Sequence, residues 1–265
     1  MGILNVTPDS FAEGGSKLDP ALAVEAGLRM EADGADLIDI GGESTRPGAE
    51  TVSAEEELAR ILPVVRKLCA RIRIPISVDT SKAAVARAAM DEGAAIINDV
   101  SGLRFDPALA GVAAAMGAAL VLMHTRGTPA TMQAAAVYRD LVGEVTQEIR
   151  ASIGAAVAAG VPMDRIIVDP GIGFAKQPLH SDGVIARLPE LAGALERPVL
   201  VGASRKSFMR EAVGNRPAPA RDWGTAAAVT ASVLAGAHIV RVHAVSEMIQ
   251  VVRVAEEIRR HGAEG

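Results

Sequence analysis

The stretch "AAIINDVSG", residues 94–102, decides the fold. Its apolar run passes without a spacer into an amide and a carboxylate, Asn98 and Asp99. Three other short apolar runs end in the same way, namely "LIDIGG" at Asp39, "ISVDTS" at Asp79 and "IIVDPG" at Asp169. A single such Asp is usually a turn former or a helix cap. Its recurrence at the end of one run after another calls for an architectural explanation.

Apolar runs of this kind alternate with helical patterns along the whole chain. Each run has the length and the β-branched content of a strand that is buried on both faces. The predicted strands are 2–6, 37–40, 76–78, 96–97, 120–123, 166–168, 199–201 and 239–242. The predicted helices are 20–33, 53–70, 81–92, 107–116, 141–159, 183–195, 222–235 and 246–260.

Strands and helices in strict alternation predict a single (β/α)8 TIM barrel, an α/β fold. An open doubly wound sheet is the alternative, and the number of units favours the barrel. No shift in composition marks a boundary, so residues 1–265 are expected to form one domain.

Composition limits the possible functions. The 265 residues are 49% hydrophobic and 22% charged, which is typical of a globular protein. A net charge of −5 argues against a nucleic-acid surface, although a local basic cluster can still bind a small anion. No signal peptide and no membrane-spanning run is recognisable. With its single cysteine, Cys69, the chain is expected to be cytoplasmic.

Polar side chains gather where barrel enzymes place their chemistry. In this fold the catalytic groups sit at the C-terminal ends of the strands. The residues at or just after predicted strand ends are Asn5, Asp39, Asp79, Asn98, Asp99, His124, Asp169, Arg205, Lys206, Arg241 and His243. The sequence therefore predicts a site at this end of the barrel.

The acidic and amide members of this set suit a flat heterocycle. Asp79 and Asp169 can each accept two parallel N–H bonds, while Asn98 complements a neighbouring nitrogen and amino group. A divalent-metal cage is the alternative, but the compact ligand spacing of a zinc site is missing from the sequence.

Basic residues predict an anion site at the same mouth. Arg46 lies in "STRPGA", Arg241 and His243 lie two apart in "RVH", and "GASRKS" at 202–207 follows the seventh strand. Loops after the seventh and eighth strands often bind phosphate in this fold. A lone arginine is usually a solvated surface charge, but three basic clusters in an acidic protein favour anion binding.

Eight motifs carry a family resemblance. They are "GILNVTPDSF", "DIGGESTRPGA", "ISVDTSK", "IINDVSG", "LMH", "DPGIGF", "GASRKSF" and "GAHIVRVH". In this order, and over nearly the whole chain, they resemble the dihydropteroate synthase family of the folate pathway. The resemblance implies a transferase that condenses 6-hydroxymethyl-7,8-dihydropterin diphosphate with 4-aminobenzoate, giving 7,8-dihydropteroate and diphosphate.

The resemblance also implies a role for each matching residue. Pterin would be bound by Asp79, Asn98, Met123, Asp169 and Lys206. Diphosphate would be bound by Asn5, Thr45, Arg46, Arg241 and His243, with Mg²⁺ near Asn5. Aminobenzoate would be bound by Thr45, Pro47, Phe174, Lys206 and Ser207. Catalysis would fall to Asp79, Asp169, Lys206 and Arg46, by an SN1-like route. Sulfonamide inhibition and a homodimer formed through the late helices are further expectations.

Departures from the family pattern leave two rivals. The first loop reads "FAEGG" where the family usually has "FSDGG", so Ala12 and Glu13 bear on its closure and on the metal. Ala175 in "DPGIGFAK" stands where glycine is common and stiffens that loop.

One rival function is a pterin-dependent methyltransferase, which has no need of Arg46 and Arg241. The other is a pterin-binding paralogue without catalytic activity.

Overall fold

Eight parallel strands form the centre of the molecule. The computed structural model describes residues 1–7, 19–45, 48–49 and 51–262. In this part of the chain the strands are β1 (Gly2–Asn5), β2 (Ile38–Gly41), β3 (Ile76–Asp79), β4 (Ile96–Asp99), β5 (Ala119–Met123), β6 (Ile166–Asp169), β7 (Leu200–Val201) and β8 (Ile239–Val240). Each strand lies within two residues of its predicted bounds.

Helices fill the intervals between the strands. They are α1 (Pro20–Ala32), α2 (Ala54–Cys69), α3 (Ala83–Asp91), α4 (Ala108–Met116), α5 (Leu141–Ala158), α6 (Pro178–Ala186), α7 (Leu188–Leu195), α8 (Arg210–Val213), α9 (Asp222–Leu234) and α10 (Val245–Gly262). Short 3₁₀ turns cover Met163–Arg165, Ser207–Met209 and Ala218–Arg221. None of the described helices is long and apolar enough to cross a membrane.

The strands are arranged in a ring. β1 to β6 pair in sequence order, and β7 pairs with β8. Single parallel bridges join the two sheets at both edges, between Val168 and Val199 and between Gly2 and Val242. Backbone bonds support them, with Ile3 N donating to Val242 O at 2.9 Å. The predicted barrel is thereby confirmed over the alternative of an open sheet.

An apolar plug fills the lower part of this ring. Met1, Ile96, Val121 and Leu200 form one buried cluster, and Ile167 and Ile239 among others pack against it. Because side chains alternate along a strand, the residue two positions further on points into the ring one layer higher. That next layer contains Asn98, Met123, Asp169, Gly202 and Arg241. The polar site therefore lies directly above this buried apolar cluster, which forms its floor.

Two helices replace the single one predicted for 183–195. α6 begins at Pro178 and ends at Ala186, and α7 restarts at Leu188 with Pro189 in its first turn. Proline fits the first turn of a helix but disrupts the interior of one. Position 189 therefore fits a helix start better than the middle of a continuous helix. The predicted cap of α2 is present, with Ser53 Oγ accepting from Glu56 N at 3.2 Å.

Candidate active site

Arg241 is at the centre of the site. From the residue after β8 its guanidinium donates from Nε to Asp39 at 2.6 Å and from Nη2 to Asp79 at 2.8 Å. Asn98 donates from Nδ2 to the same Asp39 oxygen at 2.9 Å. β2, β3, β4 and the end of β8 thus converge on one buried polar cluster.

Asp39 is the residue of this cluster for which sequence reasoning assigned no role. Its carboxylate is fully buried and orients both Arg241 and Asn98, while its Oδ1 atom has no hydrogen-bond partner. The signal was present in "LIDIGG", because Asp39 lies two residues after Leu37 and therefore points into the ring. Asp39 therefore holds Arg241 and Asn98 in position.

Asp169 and Lys206 form the other side of the mouth. Gly171 N donates to Asp169 Oδ1 at 2.7 Å, and Lys206 Nζ donates to the carbonyl of Ile172. A Cβ built on Gly202 would lie 3.9 Å from Asp169 Oδ2 and 3.8 Å from Lys206 Nζ. Gly202 therefore keeps the space between the acid and the amine open.

Burial shifts the pKa values of these groups. Burial raises the pKa of Asp79 to about 7, with the charge of Arg241 opposing that shift and the charge of Asp39 adding to it. Burial also raises the pKa of Asp169, against the opposing charge of Lys206. Burial lowers the pKa of Lys206 to about 8, although Asp169 works in the other direction. Titratable groups shifted towards neutral pH are characteristic of functional sites.

Two of the five predicted aminobenzoate residues lie around a neighbouring cavity. A cavity of about 430 Å³ is bordered by the loops after β2 to β6, and Thr45 and Phe174 both line it. Lys206 connects this cavity to the polar cluster, since its Nζ lies 4.5 Å from the centre of the Phe174 ring. Ser207 is exposed at the start of a 3₁₀ turn.

The predicted diphosphate residues are described only in part. Asn5 is the last residue of β1, and His243 follows β8 with its Nδ1 atom 2.9 Å from Ser204 Oγ. Ser204 is a second residue that sequence reasoning missed. Arg46 and Pro47, like Ala12 and Glu13, lie outside the described residues.

Three polar residues at strand ends point away from the site. Asp99 accepts from Ser101 N at 2.8 Å and from Leu103 N at 2.6 Å, so it shapes the loop after β4. His124 contacts Lys176 on the outer side of the ring, where Nδ1 and Nζ are 2.8 Å apart. Arg205, expected to bind an anion, forms a two-pronged pair with Asp222 at 2.7 Å on each side. That pairing neutralises its charge.

Comparisons with known proteins agree with this geometry. Residues 1–243 match the family described as pterin binding enzyme. A dihydropteroate synthase of Synechocystis sp. is 46% identical over 260 residues, which is 98% of this chain and 90% of the relative. The Yersinia pestis dihydropteroate synthase, solved with a sulfonamide drug complex, superposes with a TM-score of 0.92 at 42% identity, covering 98% of this chain and 93% of that one.

A further solved structure adds a second ligand. The Xanthomonas albilineans dihydropteroate synthase, solved with 4-aminobenzoic acid, gives a TM-score of 0.91 at 42% identity, covering 97% of this chain and 92% of that one. Identity at this level over nearly the full length shows common membership and not merely a common fold. The chain belongs to the pterin-binding enzyme family and, within that family, to the dihydropteroate synthases.

Proposed function

We propose that this chain joins 6-hydroxymethyl-7,8-dihydropterin diphosphate to 4-aminobenzoate, forming 7,8-dihydropteroate and releasing diphosphate. The observation that carries the proposal is one buried mouth that combines Asp79, Asn98 and Asp169 with the two cations Lys206 and Arg241. Its dry floor and its acid-and-amide edge suit a flat, nitrogen-rich ring, and the adjoining cavity suits an aromatic acid.

Recognition of the pterin falls to the inner layer. Carboxylates accept N–H donors in parallel pairs, so Asp79 and Asp169 would bind the amidine-like edges of the ring. Asn98 is held by Asp39 with one donor already used, which leaves its carbonyl oxygen to accept from the ligand. Met123 is buried and, by the alternation of side chains along β5, points into the ring of strands, so it would pack against the flat face of the pterin.

Recognition of the diphosphate falls to the rim. Arg46, Arg241 and His243 would neutralise the charge of the leaving group, while Asn5 and Thr45 would hydrogen-bond to it. The described residues contain no cluster of three or more His, Cys, Asp or Glu side chains suited to a metal. One amide oxygen from Asn5 nevertheless fits Mg²⁺, which keeps several waters and is bound largely by substrate phosphates. When bound, Mg²⁺ would supply charge neutralisation for the departing diphosphate.

Aminobenzoate would enter through the cavity beside this rim. Thr45, Pro47 and Phe174 would border its ring, with Lys206 and Ser207 near the reacting end and the carboxylate. Sulfonamides carry a comparable aniline ring and acidic group, so we propose that they compete for the same space.

The reaction would follow an SN1-like course. The bond between the exocyclic carbon and the diphosphate oxygen breaks, and its electron pair leaves with the diphosphate. The carboxylates of Asp79 and Asp169 stabilise the resulting pterin cation electrostatically. The aniline nitrogen then attacks the carbon and passes a proton to the departing diphosphate or to water, and Lys206 orients the two rings.

The decisive experiment follows diphosphate release with Mg²⁺, with and without 4-aminobenzoate, and measures dihydropteroate as the second product. Release that depends on aminobenzoate supports the synthase. Tight pterin binding without release identifies a paralogue lacking catalytic activity and directs attention to Ala12 and Glu13. Transfer of a methyl group from a methylated pterin, without release of diphosphate, would instead identify the pterin-dependent methyltransferase.

The proposal extends to assembly and place of action. We expect a homodimer formed through the late helices, tested below. The near-absence of cysteine and the acidic composition favour action in the cytoplasm, which cell fractionation would test.

A further inference from the structure

Lys176 is a buried amine that the proposed reaction leaves without a role. It lies in the β6–α6 loop, residues 170–177, and its side chain is almost completely excluded from solvent. Its Nζ atom lies 2.8 Å from His124 Nδ1 and 3.2 Å from the carbonyl oxygen of Phe174. Long charged side chains are rarely buried without a specific partner, so this placement needs an explanation.

The loop that contains Lys176 has an unusual backbone. Gly171, Gly173 and Ala175 all have positive φ, at 71°, 78° and 47°. The left-handed conformation is unfavourable for Ala175 by roughly 1–2 kcal/mol. A Cβ on Gly171 would lie 2.0 Å from His124 O, so this loop is pressed against the end of β5. Interactions outside the local backbone must hold it there.

Two residues of this loop contact Lys206. Ile172 offers its carbonyl to Lys206, and the Phe174 ring lies under the same ammonium. Both contacts depend on the backbone position of the loop. Lys176 bonds to the Phe174 carbonyl from below, and Tyr138 donates to the Ala175 carbonyl at 2.8 Å.

We propose that Lys176 is a positioning residue for the condensation: by tying the Phe174 carbonyl to His124, it holds the β6–α6 loop so that Ile172 and Phe174 fix Lys206 at the aminobenzoate cavity. This inference rests on the proposed function. Lys176 acts through these neighbours and does not touch the substrates.

The protonation state agrees with this role. Burial lowers the pKa of Lys176 to about 7, with the charge of Asp169 opposing the shift. A neutral amine has two N–H donors, which matches its two acceptors. Burial lowers the pKa of His124 to about 4, so its ring is neutral at pH 8. With the ring proton on Nε2, which lies 3.3 Å from Glu148 Oε2, the Nδ1 atom accepts from Lys176.

Several charged and titratable groups surround this amine. They are His124 at the end of β5, Arg126 and Tyr138 in the β5–α5 loop, Glu148 on α5, Asp169 at the end of β6, His180 on α6 and Lys206 after β7. An assay at pH 8 therefore isolates the hydrogen bonds of Lys176, because replacing a neutral amine removes little charge from this group.

The test compares Lys176→Met with the matched control Lys67→Met, which changes an exposed lysine on α2 far from the loop. At pH 8, Lys176→Met is expected to raise the KM for 4-aminobenzoate about tenfold, the size expected for one or two lost hydrogen bonds. The Kd for the dihydropterin diphosphate should change less than this KM, since Asp79 and Asn98 lie on strands that this loop does not hold. Of the predicted pterin residues, only Asp169 and Lys206 hydrogen-bond to the loop. Lys67→Met should match the unchanged protein.

The outcomes separate this inference from the proposed function. If the unchanged protein forms no dihydropteroate, the proposed function fails. If it does, and folded Lys176→Met has the same KM for aminobenzoate as Lys67→Met, the positioning role is overturned even if its Tm falls. If Lys176→Met does not fold, His124→Phe removes one of the two acceptors of Lys176 and so breaks the same link. A KM raised about two- to threefold then supports the role, and an unchanged KM overturns it.

Discussion

Asp79 combines two opposing demands in one residue. In the proposed reaction it must be ionised to accept N–H donors from the pterin, yet burial raises its pKa to about 7 in the free protein. The proton therefore has to leave before the ligand binds. Pterin affinity is expected to rise with pH up to about 7 and to level off above it, with proton release on binding.

The same shift affects stability with the opposite sign. A carboxyl group whose pKa is raised by folding stabilises the folded state most when protonated. That contribution is complete below the ordinary value of 3.8 and is lost as the pH rises through about 7. Function at neutral pH therefore costs the free protein some of its stability.

Asp79→Asn should separate recognition from folding. The amide turns one acceptor into a donor, which then faces the N–H groups of the pterin. Loss of charged hydrogen bonds is expected to lower kcat/KM roughly a hundredfold or more, and to abolish the rise in pterin affinity near pH 7. Steady-state kinetics and calorimetry between pH 6 and 8 measure both. Asp164→Asn, at an exposed carboxylate, is the control, and equal rates for the two variants would refute the role of Asp79.

At the scale of elements, an ion cluster ties together two loops that border the cavity. Lys82, at the start of α3, pairs with Glu43 of the β2–α2 loop and with Glu57 of α2, the latter at 2.6 Å. Glu43 also accepts from Val52 N at 3.2 Å, which closes its own loop. The Glu57 side chain is fully buried, so its charge depends on Lys82.

Lys82→Met leaves two carboxylates without their cation. It is expected to lower the free energy of unfolding by about 3 kcal/mol, because breaking a buried pair strands a charge. Lys82→Met combined with Glu57→Met should recover most of that loss. The control is Arg71→Met, which breaks the exposed pair with Glu25 and should cost at most about 1 kcal/mol. Chemical denaturation measures all three, and a loss no larger for Lys82→Met than for the control would contradict this interpretation.

The local hydrophobic pattern predicted the strands and helices better than it predicted which side chains contact each other. The apolar runs located β3 and β6 and placed Asp79 and Asp169 at their ends, because burial on both faces leaves a clear signature in the sequence. Hydrophobic periodicity did not predict the break between α6 and α7. Both helices have buried apolar residues, and only Pro189 marks the point where the second helix begins. The outward direction of Asp99 follows from alternation, once the inward position of Asn98 is known.

Closure of the ring explains what the sequence could not reveal at the scale of the whole molecule. Asp39 and Arg241 are 202 positions apart, and they meet because β8 returns beside β1. The sequence around a carboxylate does not indicate which cation it pairs with. Arg205 and Arg241 look alike in sequence, yet Arg205 pairs with Asp222 away from the site, whereas Arg241 pairs with Asp39 and Asp79 inside it. Only the three-dimensional arrangement distinguishes them.

The outer surface of the late helices predicts an assembly. Trp223 at the start of α9 is 89% exposed, and Val254 and Ile258 on α10 are 61% and 56% exposed. Val254 and Ile258 are four residues apart and therefore share one face of α10. Exposed apolar side chains on one helix face of a folded protein commonly mark an interface. We expect this surface to pair with its copy in a two-fold dimer.

Val254→Glu combined with Ile258→Glu places two like charges on each side of that interface. Because a buried, unpaired carboxylate is costly, the double variant is expected to be a monomer at concentrations where the unchanged protein is a dimer. Sedimentation equilibrium measures the difference. Val137→Glu changes an even more exposed apolar side chain, in the β5–α5 loop, and should leave the dimer intact. A double variant that stays dimeric would show that the dimer interface lies elsewhere on the protein. A monomeric variant that keeps its kcat would show that each barrel contains a complete site, as the gathering of Asp39, Asp79, Asn98 and Arg241 within one chain implies.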